Sequence, residues 1–149
     1  LTALVREMLP LVRRELRDNR VEVELDLAEG LPAVEGLRVQ LSQIVVNLVV
    51  NACEALAGVA GERRVTISTA ERDGRVELAV RDNGPGLAPE VATRLFEPFV
   101  TTKPEGLGVG LAICRSIAER HGGHLSADTP PGGGLRMTLT LPPASVSRS

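Results

Sequence analysis

The sequence has no tryptophan and no tyrosine, and Phe96 and Phe99 are its only aromatic residues. A core must therefore be assembled from leucine, valine, isoleucine and alanine. Lysine is nearly absent too: of 17 basic residues, only Lys103 is not an arginine. A net charge of -2 without any basic run excludes a surface that tracks a phosphate backbone, so no nucleic-acid partner is expected. No stretch of about 18 uncharged apolar residues occurs, and neither a membrane span nor a membrane contact is expected. The two cysteines, Cys53 and Cys114, fall in separate apolar segments without metal-ligand spacing. They read as buried, reduced thiols of a cytoplasmic protein. The chain begins at Leu1 without a signal peptide, which reads as a segment of a longer protein whose own membrane attachment stays open.

At 149 residues the chain is sized for one domain burying roughly two-thirds of its unfolded surface. We place that domain at residues 1–143 and a disordered tail at 144–149. Val5, Leu9, Val12 and Leu16 recur at the helical period, predicting a leading helix over 2–19. VEVELDL (21–27) alternates and predicts a strand with one face buried. A long apolar helix follows over 37–57 and stops near Gly58. Two strands, RRVTISTAE and RVELAVRD, meet at Asp73-Gly74, a hairpin turn signal. Pro89 opens a short helix to about Leu95, residues 98–108 form a loop, and a helix over 109–121 is stopped by Gly122-Gly123. HLSADT and LRMTLTLP supply two last strands around PPGGG. Helices on one face of a largely antiparallel sheet make an α+β two-layer sandwich.

Three strings carry chemistry. The first is Asp82-Asn83-Gly84-Pro85-Gly86. Its glycines let a flat ligand approach the backbone, and its acceptor-only carboxylate can take a proton from an exocyclic amine. An ordinary turn is the alternative. The second is the polar series Gln43, Asn47, Asn51 and Glu54, spaced four, four and three along one face of an otherwise apolar helix. It is either a solvated stripe or a groove in which an amide oxygen ligates Mg²⁺, a cation that accepts a neutral amide when nucleotide phosphates and water complete its shell. The third is the run Gly106, Gly108, Gly110 at a helix start, where backbone N–H groups and the positive helix end can hold phosphate oxygens. It is neither the dinucleotide fingerprint nor a P-loop, since no GK[ST] follows. Lys103 is a solvated loop lysine or a compact ammonium wanted near that run.

Taken in order, NLVVNACEAL, DNGPG, FEPFVTTK and GLGVGLAI resemble the N box, first glycine box, F box and second glycine box of the sensor histidine kinase catalytic, ATP-binding domain. The likeness runs over essentially the whole chain and is nearest to kinases of the nitrogen- and oxygen-sensing type. It implies the Bergerat (GHKL-type) fold, with ATP and Mg²⁺ held between the N-box helix and a short lid. The resemblance makes Asn51 the Mg²⁺ ligand and sets Asn47 beside phosphates or metal-bound water. It gives Asp82 the adenine amino group, with Gly84 and Gly86 shaping the base pocket. Thr101, Thr102, Lys103, Gly106, Leu107, Gly108, Val109, Gly110 and Leu111 would form the lid and phosphate side, with Asn47 and Lys103 nearest the catalytic step. Phe96 and Phe99 would anchor the lid, by packing rather than by ligand contact.

The sequence departs from the family in places. Leu135, Arg136 and Met137 follow the glycine run where relatives often carry Thr and then Phe, which removes a hydroxyl from the adenine side. Glu54 stands where many relatives are basic or aromatic, and reads as outward-facing or as a partner of metal-bound water. The phosphoacceptor histidine is absent: His121 and His124 flank a helix-ending Gly-Gly, and His121 reads as a helix C-terminal residue. The resemblance therefore implies a kinase domain that binds and presents ATP to a histidine on a separate dimerising hairpin, with a response regulator downstream. The segment alone is expected to be monomeric. Three other readings stay open: a gyrase- or MutL-type ATPase, an anti-sigma-type serine kinase, and a nucleotide-sensing module without catalysis. The first of these places a glutamate where this chain has Asn47.

Overall fold

The computed structural model describes residues 1–34, 36–86 and 108–143. Within them the elements run α1 (Thr2–Asp18), β1 (Glu22–Leu27), α2 (Arg38–Leu56), β2 (Arg64–Arg72), β3 (Arg75–Asp82), α3 (Gly108–Arg120), β4 (His124–Asp128) and β5 (Leu135–Leu141). The expected short helix from Pro89 to Leu95, the lid positions Thr101, Thr102, Lys103, Gly106 and Leu107, both phenylalanines and the 144–149 tail lie outside the described residues.

The strands form one sheet in the order β1-β2-β3-β5-β4. β1 runs parallel to β2, and the other three pairings are antiparallel. The two-layer α+β sandwich expected from the sequence is therefore present. Alternation decides the faces: Val65, Ile67, Val76, Leu78, Val80, Met137, Leu139 and Leu141 all point to the helical layer and are buried. Asp73 and Gly74 both take positive φ, at 52° and 77°, as a two-residue type I′ hairpin turn requires.

α2 is the central helix of that layer. By length and mean hydropathy, 1.4, it is apolar enough to cross a membrane, as the core helix of a folded domain also can be. One side of it is spent on the core: Ile44, Leu48, Val49 and Leu56 are each 0% exposed, while Val39 near its start is exposed. α1 packs beside α2 and is tied to the sheet by a small polar cluster. The Thr2 hydroxyl donates to the Ala28 carbonyl at 2.7 Å, so the Thr69 hydroxyl, 2.7 Å away, donates to Thr2. The Ala28 N–H donates in turn to Thr69 Oγ1 at 2.9 Å.

β1 corrects an expectation. Val23 and Leu27 are only half-buried and Leu25 is 48% exposed. As an edge strand, β1 has a sheet neighbour on one side only, so its apolar alternation is covered incompletely. His121 also does more than end a helix. Its Nδ1–H donates to the Ile117 carbonyl at 2.7 Å, while the Leu37 N–H donates to Nε2 at 3.1 Å. The ring thus joins the end of α3 to the start of α2, which has no side-chain cap of its own.

The glycine pair after α3 is a tight point. A Cβ on Gly123 would overlap the Thr140 carbonyl oxygen and press on the Leu141 side chain. Gly123→Ala is expected to cost about 2–3 kcal/mol in urea unfolding, because backbone must move to admit one methyl group. Gly61→Ala, where φ is 86° but no atom lies within 4 Å, should lose only about 1 kcal/mol from backbone strain. Equal losses would mean that crowding at Gly123 is relieved locally.

Candidate functional site

The inward residues of β3 are Val76, Leu78, Val80 and then Asp82, so the alternation that builds the core also delivers a carboxylate to its edge. Asp82 is 3% exposed. Its Oδ1 accepts the Gly84 N–H at 2.9 Å, which turns the chain sharply after the strand. A Cβ on Gly84 would sit 3.0 Å from that oxygen and 3.4 Å from both the Ala55 carbonyl oxygen and the Leu56 side chain. A side chain at this position would need the turn or the last turn of α2 to give by a few tenths of an ångström.

The loop before β5 closes on the same turn. Gly134 has φ of 81°, and a Cβ there would collide with the Asp82 carbonyl oxygen. Gly86, with φ of 77°, would bring a Cβ to 3.1 Å from the Gly134 carbonyl oxygen. Arg81, on the opposite sheet face from Asp82, donates to the Pro131 and Gly133 carbonyls at 3.0 and 3.3 Å. The PPGGG run is thus a wall of the site.

Asn51 is 7% exposed, Asn47 and Glu54 are half-buried, and Gln43 is exposed. The stripe is therefore not a uniformly solvated face. Burying an amide in an apolar layer costs on the order of 1–3 kcal/mol when it goes unpaired. Asn47 uses its Nδ2 to donate to Cys114 Sγ on α3, at 3.4 Å. That contact ties α2 to α3, a relation nothing in the sequence spacing signalled. From Asn47 to Ala55, where the Asp82 turn packs, α2 rises about 12 Å. The stripe thus bridges the turn and α3.

Gly108, Val109, Gly110 and Leu111 are the first four residues of α3, whose backbone N–H groups have no partner within the helix. The side chain of Leu111 is buried at 4% exposure, leaving this position its backbone to offer a ligand. Leu135 pairs directly with Asp82 across the β3–β5 ladder and is 5% exposed, so it lines the helical face beside the carboxylate. Arg136 turns to the other face and pairs with Asp128 at 2.7 Å. The departure noted in the sequence is an apolar side chain where a hydroxyl would stand.

The concavity on the open sheet face, about 380 Å³ and lined in part by Ser68, Ala79, Ser126 and Thr138, lies across the sheet from Asp82. Its Arg72 and Arg136 are engaged by Glu77 and Asp128, so its strongest cations are already neutralised.

Among the described residues no three His, Cys, Asp or Glu side chains converge as a metal cage. A hard cation that keeps water and phosphate oxygens needs few protein ligands, and the buried amide of the α2 stripe is Asn51. Neither thiol is a ligand candidate. Burial pushes the Cys53 thiol up to about 11, with Glu15 and Glu54 adding to the rise. Burial also raises Cys114, opposed by the hydrogen bond from Asn47.

The family model for histidine kinase-, DNA gyrase B-, and HSP90-like ATPases matches residues 36–145. The C4-dicarboxylate transport sensor protein DctS of Rhodobacter capsulatus is 39% identical over 143 residues, covering 95% of this chain and 22% of DctS. Sensor protein FixL of Bradyrhizobium diazoefficiens is 39% identical over 144 residues, covering 97% of this chain and 28% of FixL. This chain thus spans about a quarter of these relatives. The catalytic domain of histidine kinase ThkA, solved in a nucleotide-free form, superposes with a TM-score of 0.83 at 31% identity, over 96% of this chain and 92% of that domain. ThkA has also been solved in complex with a response regulator protein, TrrA.

The raised Cys53 carries a consequence for alkaline stability. Below the ordinary thiol value of 9.0 both folded and unfolded chains hold the proton, and stability is complete. Between that value and about 11 the unfolded chain ionises first, so stability falls as pH rises, by about 3 kcal/mol at most. Urea unfolding from pH 8 to 11 should show a steeper loss for the native sequence than for Cys53→Ala. Parallel curves would place the thiol in a more solvated setting than its burial indicates.

Proposed function

The chain belongs to the histidine kinase-, DNA gyrase B-, and HSP90-like ATPase family, and we propose that it binds Mg²⁺-ATP and presents the γ-phosphate to a histidine on a separate dimerising hairpin. The observation that carries this reading is the polar stripe of α2, in which Asn51 is buried and Asn47 half-buried. It runs from the Asp82 turn at one end to α3, whose first turn is Gly108 to Leu111, at the other. A nucleotide laid along it has its base at Asp82 and its phosphates toward the first turn of α3.

Each residue then has a task. The Asp82 carboxylate accepts the adenine amino group, with Gly84 and Gly86 keeping the backbone close to the base. Leu135 supplies an apolar wall beside it. The N–H groups of Gly108, Val109, Gly110 and Leu111, with the positive end of α3, hold phosphate oxygens. Asn51 offers its amide oxygen to Mg²⁺, and Asn47 orients phosphate or metal-bound water. When bound, Mg²⁺ neutralises charge on the transferring phosphoryl group. Thr101, Thr102, Lys103, Gly106 and Leu107 complete the lid in this reading.

Transfer rather than hydrolysis follows from what position 47 can do. An asparagine carries no basic group, and one amide N–H of Asn47 is engaged by Cys114. It cannot strip a proton from water as a glutamate would. Phosphoryl transfer needs chiefly positioning and charge neutralisation, which this site supplies, together with a nucleophile from elsewhere. The partner is then the hairpin of the longer protein, with a response regulator receiving the phosphoryl group downstream.

Calorimetry should find ATP bound with roughly micromolar affinity in the presence of Mg²⁺. Asn51→Ala should weaken Mg²⁺-ATP about tenfold or more while changing metal-free nucleotide little. Asp82→Asn should weaken adenine nucleotides in both conditions, because an amide can offer a donor where an acceptor is needed. Equal losses for both variants with and without metal would overturn these roles.

Incubated alone with labelled ATP, the domain should neither label itself nor turn over nucleotide rapidly. Adding a dimerising hairpin that bears a phosphoacceptor histidine should give acid-labile phosphate on the hairpin. Acid-stable label on the domain would identify a serine or threonine kinase, and fast hydrolysis without a partner would identify an ATPase. Binding without transfer to the cognate hairpin would leave a sensing module.

A further inference from the structure

Asn83 is exposed, and the turn string was read for its aspartate and glycines alone. The structure gives this side chain specific work. The last register pair of the β2–β3 ladder is Val65 with Asp82, after which the two strands would be expected to separate. They do not. The Asn83 N–H donates to the Arg64 carbonyl at 3.2 Å, and the Arg64 N–H donates back to Asn83 Oδ1 at 2.7 Å. Asn83 Nδ2 then donates to the Glu62 carbonyl at 2.9 Å. The side-chain amide thereby pairs as one more peptide unit of β3, while the real backbone is released to turn at Gly84.

The chemistry of the two partners fixes the orientation. An N–H faces Oδ1 and a carbonyl faces Nδ2, so neither end of the amide can be exchanged without setting like against like. Alanine has neither group, and aspartate would set a second acceptor against the Glu62 carbonyl. On the far side of Asp82 the backbone is held by Arg81, through the carbonyls of Pro131 and Gly133. Between these holds lies Asp82 alone, and beyond Asn83 comes a Gly-Pro-Gly turn, which has little stiffness of its own at its glycines.

We propose that Asn83 is a positioning residue for base recognition: by extending β3 with its side chain it fixes where the Asp82 carboxylate stands, and so sets how well adenine is distinguished from a purine lacking the amino group. The proposal rests on the reading of Asp82 as the acceptor of that amino group. If Asn83 merely closed the sheet, its loss would lower stability and weaken all nucleotides alike. If it positions Asp82, its loss falls on the term that depends on the amino group.

The test compares dissociation constants of Mg²⁺-ATP and Mg²⁺-ITP, whose hypoxanthine carries a carbonyl in place of the amino group. The native sequence should prefer ATP. Asn83→Ala should reduce that preference roughly three- to tenfold, chiefly through weaker ATP binding, the range expected from losing ordinary exposed hydrogen bonds. Leu139→Ala, a core change away from the turn, should lower the melting temperature and leave the preference intact. Should Asn83→Ala fail to fold, Asn83→Asp keeps the acceptor for Arg64, loses the donor to Glu62, and should reduce the preference likewise. A preference unchanged in Asn83→Ala but abolished in Asp82→Asn would overturn the role of Asn83 and keep that of Asp82. No preference in the native sequence, and none altered by Asp82→Asn, would overturn the reading of Asp82 itself.

Discussion

The burial of α2 against the sheet is the constraint on which the rest depends. Local preference does little for this helix: it has no side-chain cap at Leu37, no basic residue in its last turn, and two asparagines in its interior. Burial compensates. Ile44, Leu48, Val49 and Leu56 are completely enclosed, and each such side chain is worth about 1.5–3 kcal/mol against leaving it in water. Helical stability here is tertiary in origin, which is how the chain tolerates Asn51 at 7% exposure along the same helix.

Once α2 is fixed, the site has little freedom. The strand that lies most centrally in the sheet, β3, ends beside the last turn of α2, and Gly84 permits near contact between the two. β5 brings Gly134 beneath the Asp82 carbonyl, and β2 holds Asn83. A single residue pair, Asp82 with Leu135, thus sets a carboxylate and an apolar wall side by side on the helical face. α3 joins the same framework through Asn47 and Cys114, and its far end is bound to α2 by His121. The ring of His121 also fills the space a Cβ on Gly36 would need, so the α2–α3 junction and the approach to α2 are coupled sterically.

Much of this was legible in the sequence. The period of apolar residues located all eight described elements to within a residue or two at each end, because helix and strand burial leave different repeats. Asp73-Gly74 announced its hairpin, since both residues must take positive φ and few pairs do so readily. Asp82, Asn51 and the glycines of α3 stand out as candidates because each interrupts an otherwise apolar pattern. β1 misled the reading in one respect: alternation reports a potential buried face, and whether a strand lies at an edge is decided by strand order. α2 likewise reads as apolar enough for lipid by composition, and only its neighbours show that protein takes up that surface.

The sequence by itself determined the elements, the two-layer class and the identity of the polar residues that interrupt its apolar patterns, because these depend on short-range spacing and on side-chain chemistry. Tertiary structure alone decided which of those residues meet. Asn47 reaches Cys114 across 67 positions, Asn83 reaches Arg64 across 19, and Leu37 reaches His121 across 84. No local pattern encodes such partners. They follow from the order of five strands and the approach of two helices, which are fixed only when the whole core closes.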